Sequence, residues 1–267
     1  MNRIMKTMFA GMLAFGMVAF TGCSQDSSPG MGTLQVKLHD APVDYDEVNI
    51  FIERVEVNNT AGDEGWQVIS EPNESFNLLE LTNGAFEMIA DVELEAGTYP
   101  QIRLILSRDA NTVVIDGESH NLFVPSGAQT GVKLNIHAEI REGTVYTLLL
   151  DFDALRSVVK TGKAANPGFL LKPVIRAAKE ANTGNIGGVV TPFDARAVVY
   201  AIAGVDTISS TFANVSNGKF LLVGLEEGEY DVSVEPREDG FVGTRFGGVS
   251  VTANETTDVG TIELDTN

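Results

Sequence analysis

Apolar residues recur at every second position through most of this chain. In "TLQVKLHD" Leu34, Val36 and Leu38 share one face, and Gln35, Lys37 and His39 share the other. "EVNIFIERVEV" begins with Val48, Ile50 and Ile52 in one phase and continues with Val55 and Val57 in the other, which predicts a bulge near Glu53 and Arg54. "QIRLIL" groups Ile102, Leu104 and Leu106. "VKLNIHAEI" groups Val132, Leu134, Ile136, Ala138 and Ile140, and "VYTLLLDFD" groups Tyr146, Leu148, Leu150 and Phe152. "VVIDGESHNLFV" reads as two short strands around an Asp116-Gly117 hairpin turn. A period of two means half-buried strands, and many short strands separated by turn residues predict sandwiches or barrels.

Helical spacing is scarce. "DALRSVVKTG" (153–162) predicts one short helix, with Asp153 as its cap and Lys160 and Gly162 at its end. "LLELTNGAFEMIA" allows a further helical turn. The apolar period lapses in "AAKEANTGN", which places a linker at 179–184. Beyond it, "AVVYAIA", "GKFLLVGL", "EYDVSVEP", "GGVSVTA" and "VGTIEL" are strands again, separated by glycine-bearing turns. The expected fold class is therefore all-β: two β-sandwich domains in tandem, at 33–178 and 185–267, with one short helix in the first.

The amino-terminal segment has a different grammar. "MNRIMK" is basic, and the fourteen residues of "TMFAGMLAFGMVAF" carry no charge. That run is shorter than the roughly 20 residues of a spanning helix, and it fits a secretory signal at 1–22. The chain's only cysteine, Cys23, follows it directly, and "SQDSSPGMG" then reads as a flexible tether, so that 23–32 links anchor to body. Phe20-Thr21-Gly22-Cys23 resembles a bacterial lipobox, with Phe20 where leucine is usual. The resemblance implies diacylglyceration of the Cys23 thiol, cleavage before it and acylation of the new terminus. Several acyl chains would then hold the protein on a membrane at about 0.8 kcal/mol per buried methylene. The implied location is the bacterial cell envelope, lipid-anchored at the outer membrane. A lone cysteine also excludes an internal disulfide.

Charge narrows the partners. The full chain carries −19; without Arg3 and Lys6, 16 basic residues face 37 acidic ones, a balance of −21. Such a surface excludes nucleic acid as a partner and gives anionic headgroups no adhesive face. Hydrophobic residues make up 43% of the chain and are spread along it, so the acidity is not a sign of disorder.

Two resemblances follow. "LHDAPVDYDEVNIFIERVEV", "FVPSGAQTGVKL", "LDFDALRSVV" and "LLKPVIRA" resemble blocks of the bacterial lipoprotein family called domain of unknown function 4382, over 33–178. This implies an exported, mostly β domain and no stated activity. "GNIGGVVTPFDARAVVYA" and "SNGKFLLVGLEEGEYDVSVEP" resemble the carboxypeptidase regulatory-like, transthyretin-type sandwich of about seven strands. Gly218 and Gly228 would serve its turns, and Phe220, Leu222, Tyr230 and Val232 its core.

Little catalytic chemistry is visible. His39 and His137 fall on polar strand faces and His120 follows a hairpin, so all three read as solvated. No phosphate loop precedes a helix and no His/Cys spacing suggests zinc. The best polar constellation is Asp40, Asp151 and Asp153, with Asp44 and Asp46 nearby. Carboxylates of this kind could hold calcium, or could cap the helix and fix turns. A carboxylate-dependent hydrolase is a third option, but Trp66 is the only tryptophan for stacking a sugar. The reading favoured by the sequence is a non-catalytic binding or adhesion module for a protein or glycan ligand. A structural spacer in an envelope assembly is the alternative.

Overall fold

The structure, a computed structural model, describes residues 30–41, 43–60, 62, 64–125, 131–163 and 166–267. The expected signal segment 1–22, Cys23 and the expected tether as far as residue 29 lie outside the described residues. The fold is all-β, as its alternating pattern predicts, with one short α-helix among the described residues.

The first lobe stacks two sheets. One orders Ile175–Lys179 (β13), Val145–Asp153 (β10), Met31–Ala41 (β1) and Glu87–Glu95 (β5). The central pair, β1 and β10, is parallel and in register from Thr33 opposite Val145 to Ala41 opposite Asp153. The other sheet follows the order Val158–Lys163 (β11), Asn166–Leu171 (β12), Glu118–Phe123 (β8), Asn111–Ile115 (β7), Glu47–Asn58 (β2), Gly97–Leu106 (β6) and Val132–Ile140 (β9). Trp66–Ser70 (β3) and Glu74–Asn77 (β4) also pair with β2. The alternation decides the filling. Leu34, Val36, Leu38, Leu148, Leu150 and Phe152 from one sheet meet Val48, Ile50, Ile52, Ile102 and Leu104 from the other, all buried in one cluster. The predicted bulge is present: the β2–β6 register slips between Ile52 and Arg54, which lets Val55 and Val57 join the core in the opposite phase. The predicted hairpin turn is present too, with Asp116 and Gly117 at φ +53° and +77°.

The helix is shorter than the sequence predicts. Asp153 does cap it, accepting from Arg156 N at 2.8 Å, but α1 covers only Ala154–Ser157. Val158 and Val159 leave it for β11, where they pair with Leu171 and Leu170. Two β-branched residues lose side-chain freedom in a helix and gain packing in a sheet, so the strand wins here. The second helical turn is a 3-10 turn at Leu78–Glu80, and β5 begins at Glu87.

Lys179 closes β13, and a 3-10 turn at Glu180–Asn182 leads straight into Thr183–Thr191 (β14). The second lobe has its own cluster, including Ile186, Val199, Leu222, Val232 and Val251. Its three-stranded sheet orders Lys219–Glu226 (β17), β14 and Thr256–Glu263 (β20). Its four-stranded sheet orders Asp206–Phe212 (β16), Val198–Ala203 (β15), Gly228–Glu235 (β18) and Thr244–Val251 (β19). Gly218 must be glycine: it sits at φ +69°, and a Cβ there would lie 2.1 Å from Val190 O.

Candidate functional site

The outer face of the β13-β10-β1-β5 sheet meets the second lobe. Register puts His39 on β1 opposite Asp151 on β10, and Asp151 opposite Arg176 on β13, so the three form one row across three strands. His39 Nδ1 lies 3.7 Å from Asp151 Oδ1, and Arg176 Nη2 lies 3.3 Å from Asp151 Oδ2. Arg176 then reaches across and donates through Nη1 to Gly224 O on β17 at 2.9 Å. Gly224 is at φ +69°, and a Cβ on it would stand 3.7 Å from His39 Nε2. That close approach seals the row.

His39 is therefore not the solvated residue that its polar phase predicts. It is 3% exposed, and its Nε2 has no hydrogen-bond partner among the described residues. Burial holds its imidazole below the ordinary 6.5; the Asp151 carboxylate pulls back upward and the Arg176 guanidinium adds to the lowering. The polar face of β1 is covered by a second lobe, which strand alternation alone cannot reveal. His137 is exposed and His120 half-buried.

A second contact locks the lobes. Asn83, in the loop before β5 and at φ +60°, inserts its amide between the facing edges of β16 and β17. Its Oδ1 accepts from Leu221 N at 2.8 Å and its Nδ2 donates to Phe212 O at 3.1 Å. One side chain thus occupies backbone groups of two strands that belong to different sheets. Exposed strand edges invite foreign pairing, and the first lobe covers this one. Arg237 pairs with Asp44 further along the seam. Clefts of about 310 Å³ beside His39 and about 150 Å³ beside Asp151 and Asp153 flank the row.

The three candidate calcium carboxylates have structural partners. Asp40 follows His39 by one residue, so it points to the opposite face of β1, where its Oδ1 accepts from Ala154 N at 2.9 Å. Asp151 serves the row, and Asp153 caps α1. Burial raises the Asp153 carboxyl, and the backbone N–H and charge of Arg156 pull it down. Among the described residues no group of three or more His, Cys, Asp or Glu side chains could hold a metal ion.

A different feature stands at the far edge of the nine-stranded sheet. From Ala154 to Lys179 the chain holds Arg156, Lys160, Lys163, Lys172, Arg176 and Lys179 and no acidic residue, within a protein of charge −19. Arg176 is spent on the seam and Lys179 lies over the Tyr146 ring. Lys160 and Lys172 are exposed, with no ion pair among the described residues. Lys160 pairs with Phe169 and lies over that ring, 6.0 Å from its centroid, whereas on the opposite, solvent face register lines up Phe123, Leu170 and Val159 across β8, β12 and β11. Phe123 is 49% exposed, and Leu170 and Val159 are half-buried. The run without an acidic residue was countable from the sequence; the apolar row needed the register.

The family model described as Domain of unknown function (DUF4382) matches residues 31–173, and the chain belongs to that family. No curated protein matches the chain. Among solved structures, the chain is similar to the Bacillus anthracis TIE protein at 11% identity and a TM-score of 0.25, covering 89% of this chain and 34% of that one. It thus spans about a third of that protein's length. It is similar to GBS52, the minor pilin of Streptococcus agalactiae, at 11% identity and a TM-score of 0.22, covering 87% and 96%. For the fimbrial anchor protein Mfa2 from Porphyromonas gingivalis the figures are 12%, 0.19, 76% and 77%. Likenesses at such TM-scores carry no functional argument.

Proposed function

We propose that the protein is a non-catalytic binding module of the bacterial cell envelope, held at the outer membrane by acyl chains on Cys23. Its second lobe is a carboxypeptidase regulatory-like sandwich that braces the first. The observation that carries this reading is the row of Phe123, Leu170 and Val159 on the solvent face at a sheet edge that no strand covers among the described residues. An exposed apolar stripe on an otherwise acidic surface is what a docking face requires. The acidic candidates speak for structure instead, because each already holds a backbone donor or a guanidinium.

The spacer reading has support of its own in the seam, where Asn83 and Arg176 tie the lobes together. One experiment separates the two. A photo-crosslinking amino acid replaces Phe123 in the intact bacterium, and a control replaces exposed Val68 on β3. A discrete crosslinked species at Phe123 but not at Val68 is expected. Absence of any species at Phe123 would leave the spacer. Labelling with a palmitate analogue tests the anchor: the wild type should take up label and Cys23→Ser should not, whereas an unlabelled wild type would refute it.

A further inference from the structure

Resting on the reading of this face as a docking site, we infer that its occupant is an acidic, extended segment of another protein, added as a strand along β11. Three observations converge. First, β11 ends the nine-stranded sheet, and among the described residues no strand pairs with its outer side. The bond from Lys172 N to Ser157 O, 2.8 Å, sets the phase of the β11–β12 ladder. Antiparallel alternation then turns Val159 and Thr161 toward β12 and turns the C=O of Val158 and both backbone groups of Lys160 outward. The N–H of Val158 is already taken by Ala154 O. Gly162, at φ +86°, ends the regular edge, so the free template is short. An added strand satisfies such groups and gains affinity through them.

Second, the charge at this edge selects the partner. Lysine on an edge strand discourages pairing with like chains, because two copies of β11 would set ammonium groups against each other. A second copy is therefore disfavoured. A strand that carries Glu or Asp on the Lys160 face reverses the sign, and it meets Lys160, which lies over the Phe169 ring and has no ion pair among the described residues.

Third, the side chains of an added strand continue the sheet's two faces. Its apolar positions would extend the row of Phe123, Leu170 and Val159. The recognised pattern is thus acidic and apolar residues in alternation.

The test uses the full chain carrying Cys23→Ser to keep it in solution. The probe is a fluorescein-labelled hexapeptide of alternating Glu and Val, read by fluorescence anisotropy at low salt. It should bind, and Lys160→Glu should weaken it at least tenfold. Alternate N-methylation of the peptide should abolish binding, and a Lys/Val hexapeptide should stay silent. Lys160 is exposed, so an unchanged melting midpoint will show that the variant is folded; Lys160→Gln is the milder substitute. Equal affinity in the charge-reversed protein would overturn the inference. So would binding of the Lys/Val peptide, preference for anionic phospholipid vesicles that the Glu/Val peptide does not compete, or a self-associated form that it does not disperse. If the Phe123 crosslink forms but the peptide does not bind, the partner chemistry is wrong and the binding module stands. If both fail, both fall.

Discussion

His39 sits in a row whose other members are charged, yet burial keeps it neutral. The sign of the pH effect follows. The unfolded chain takes up a proton near pH 6.5, while the native imidazole resists it to lower pH, so stability is full above about 6.5 and declines as pH falls toward the native value. Within that window the loss approaches about 1.4 kcal/mol per pH unit. Chemical denaturation at pH 7.5 and pH 5.5 should therefore show a larger acid loss for the wild type than for His39→Gln, which cannot titrate. Equal losses would mean that His39 is already solvated. The residues themselves announce part of this. Asp40 falls in the apolar phase with Leu34, Val36 and Leu38, so its separation from Asp151 could be read from alternation. The covering of His39 could not, because a strand pattern says which face a side chain takes and not what lies over that face.

At the scale of elements, alternation reports the β-strands well and fails where two periods compete. The helix at 153–162 has its cap, and its continuation is lost because Val158 and Val159 find partners on β12. Among the described residues the β11–β12 hairpin is joined to the rest of its sheet through two residue pairs, Phe169 with Leu122 and Leu170 with Phe123. By contrast β10 lies between β1 and β13, paired along its whole length with β1 and from Leu148 to Phe152 with β13. Local opening should follow that difference. Native-state hydrogen exchange is expected to release the amides of Val159 and Thr161 well before those of Leu148 and Leu150. Equal protection would mean that the hairpin is part of the core and no easily remodelled edge.

Across the whole molecule the decisive contacts were invisible in the sequence. Asn83 lies in an unremarkable turn, "TNGAF", and Gly224 in a strand, yet each completes a bond between the lobes, across 138 and 48 positions of the chain. The lobe order and their sandwich character are written in periodicity; the docking geometry comes from two loop and strand positions that no local rule marks. Because Asn83 spans two sheets of the second lobe, losing it frees backbone groups on β16 and β17 together, a penalty of about 1–3 kcal/mol for buried polar groups left unpaired.

The claim on which this account most depends is that the two lobes move as one body, so that the docking face has a fixed orientation. Spin labels at Val68 and Val205, which are 51% and 95% exposed and lie in different lobes, allow the distance between them to be measured by pulsed electron resonance in a Cys23→Ser background. The account predicts one narrow distance distribution that broadens when Asn83→Ala and Arg176→Ala are combined. A broad distribution in the parent protein, unchanged by those substitutions, would contradict it.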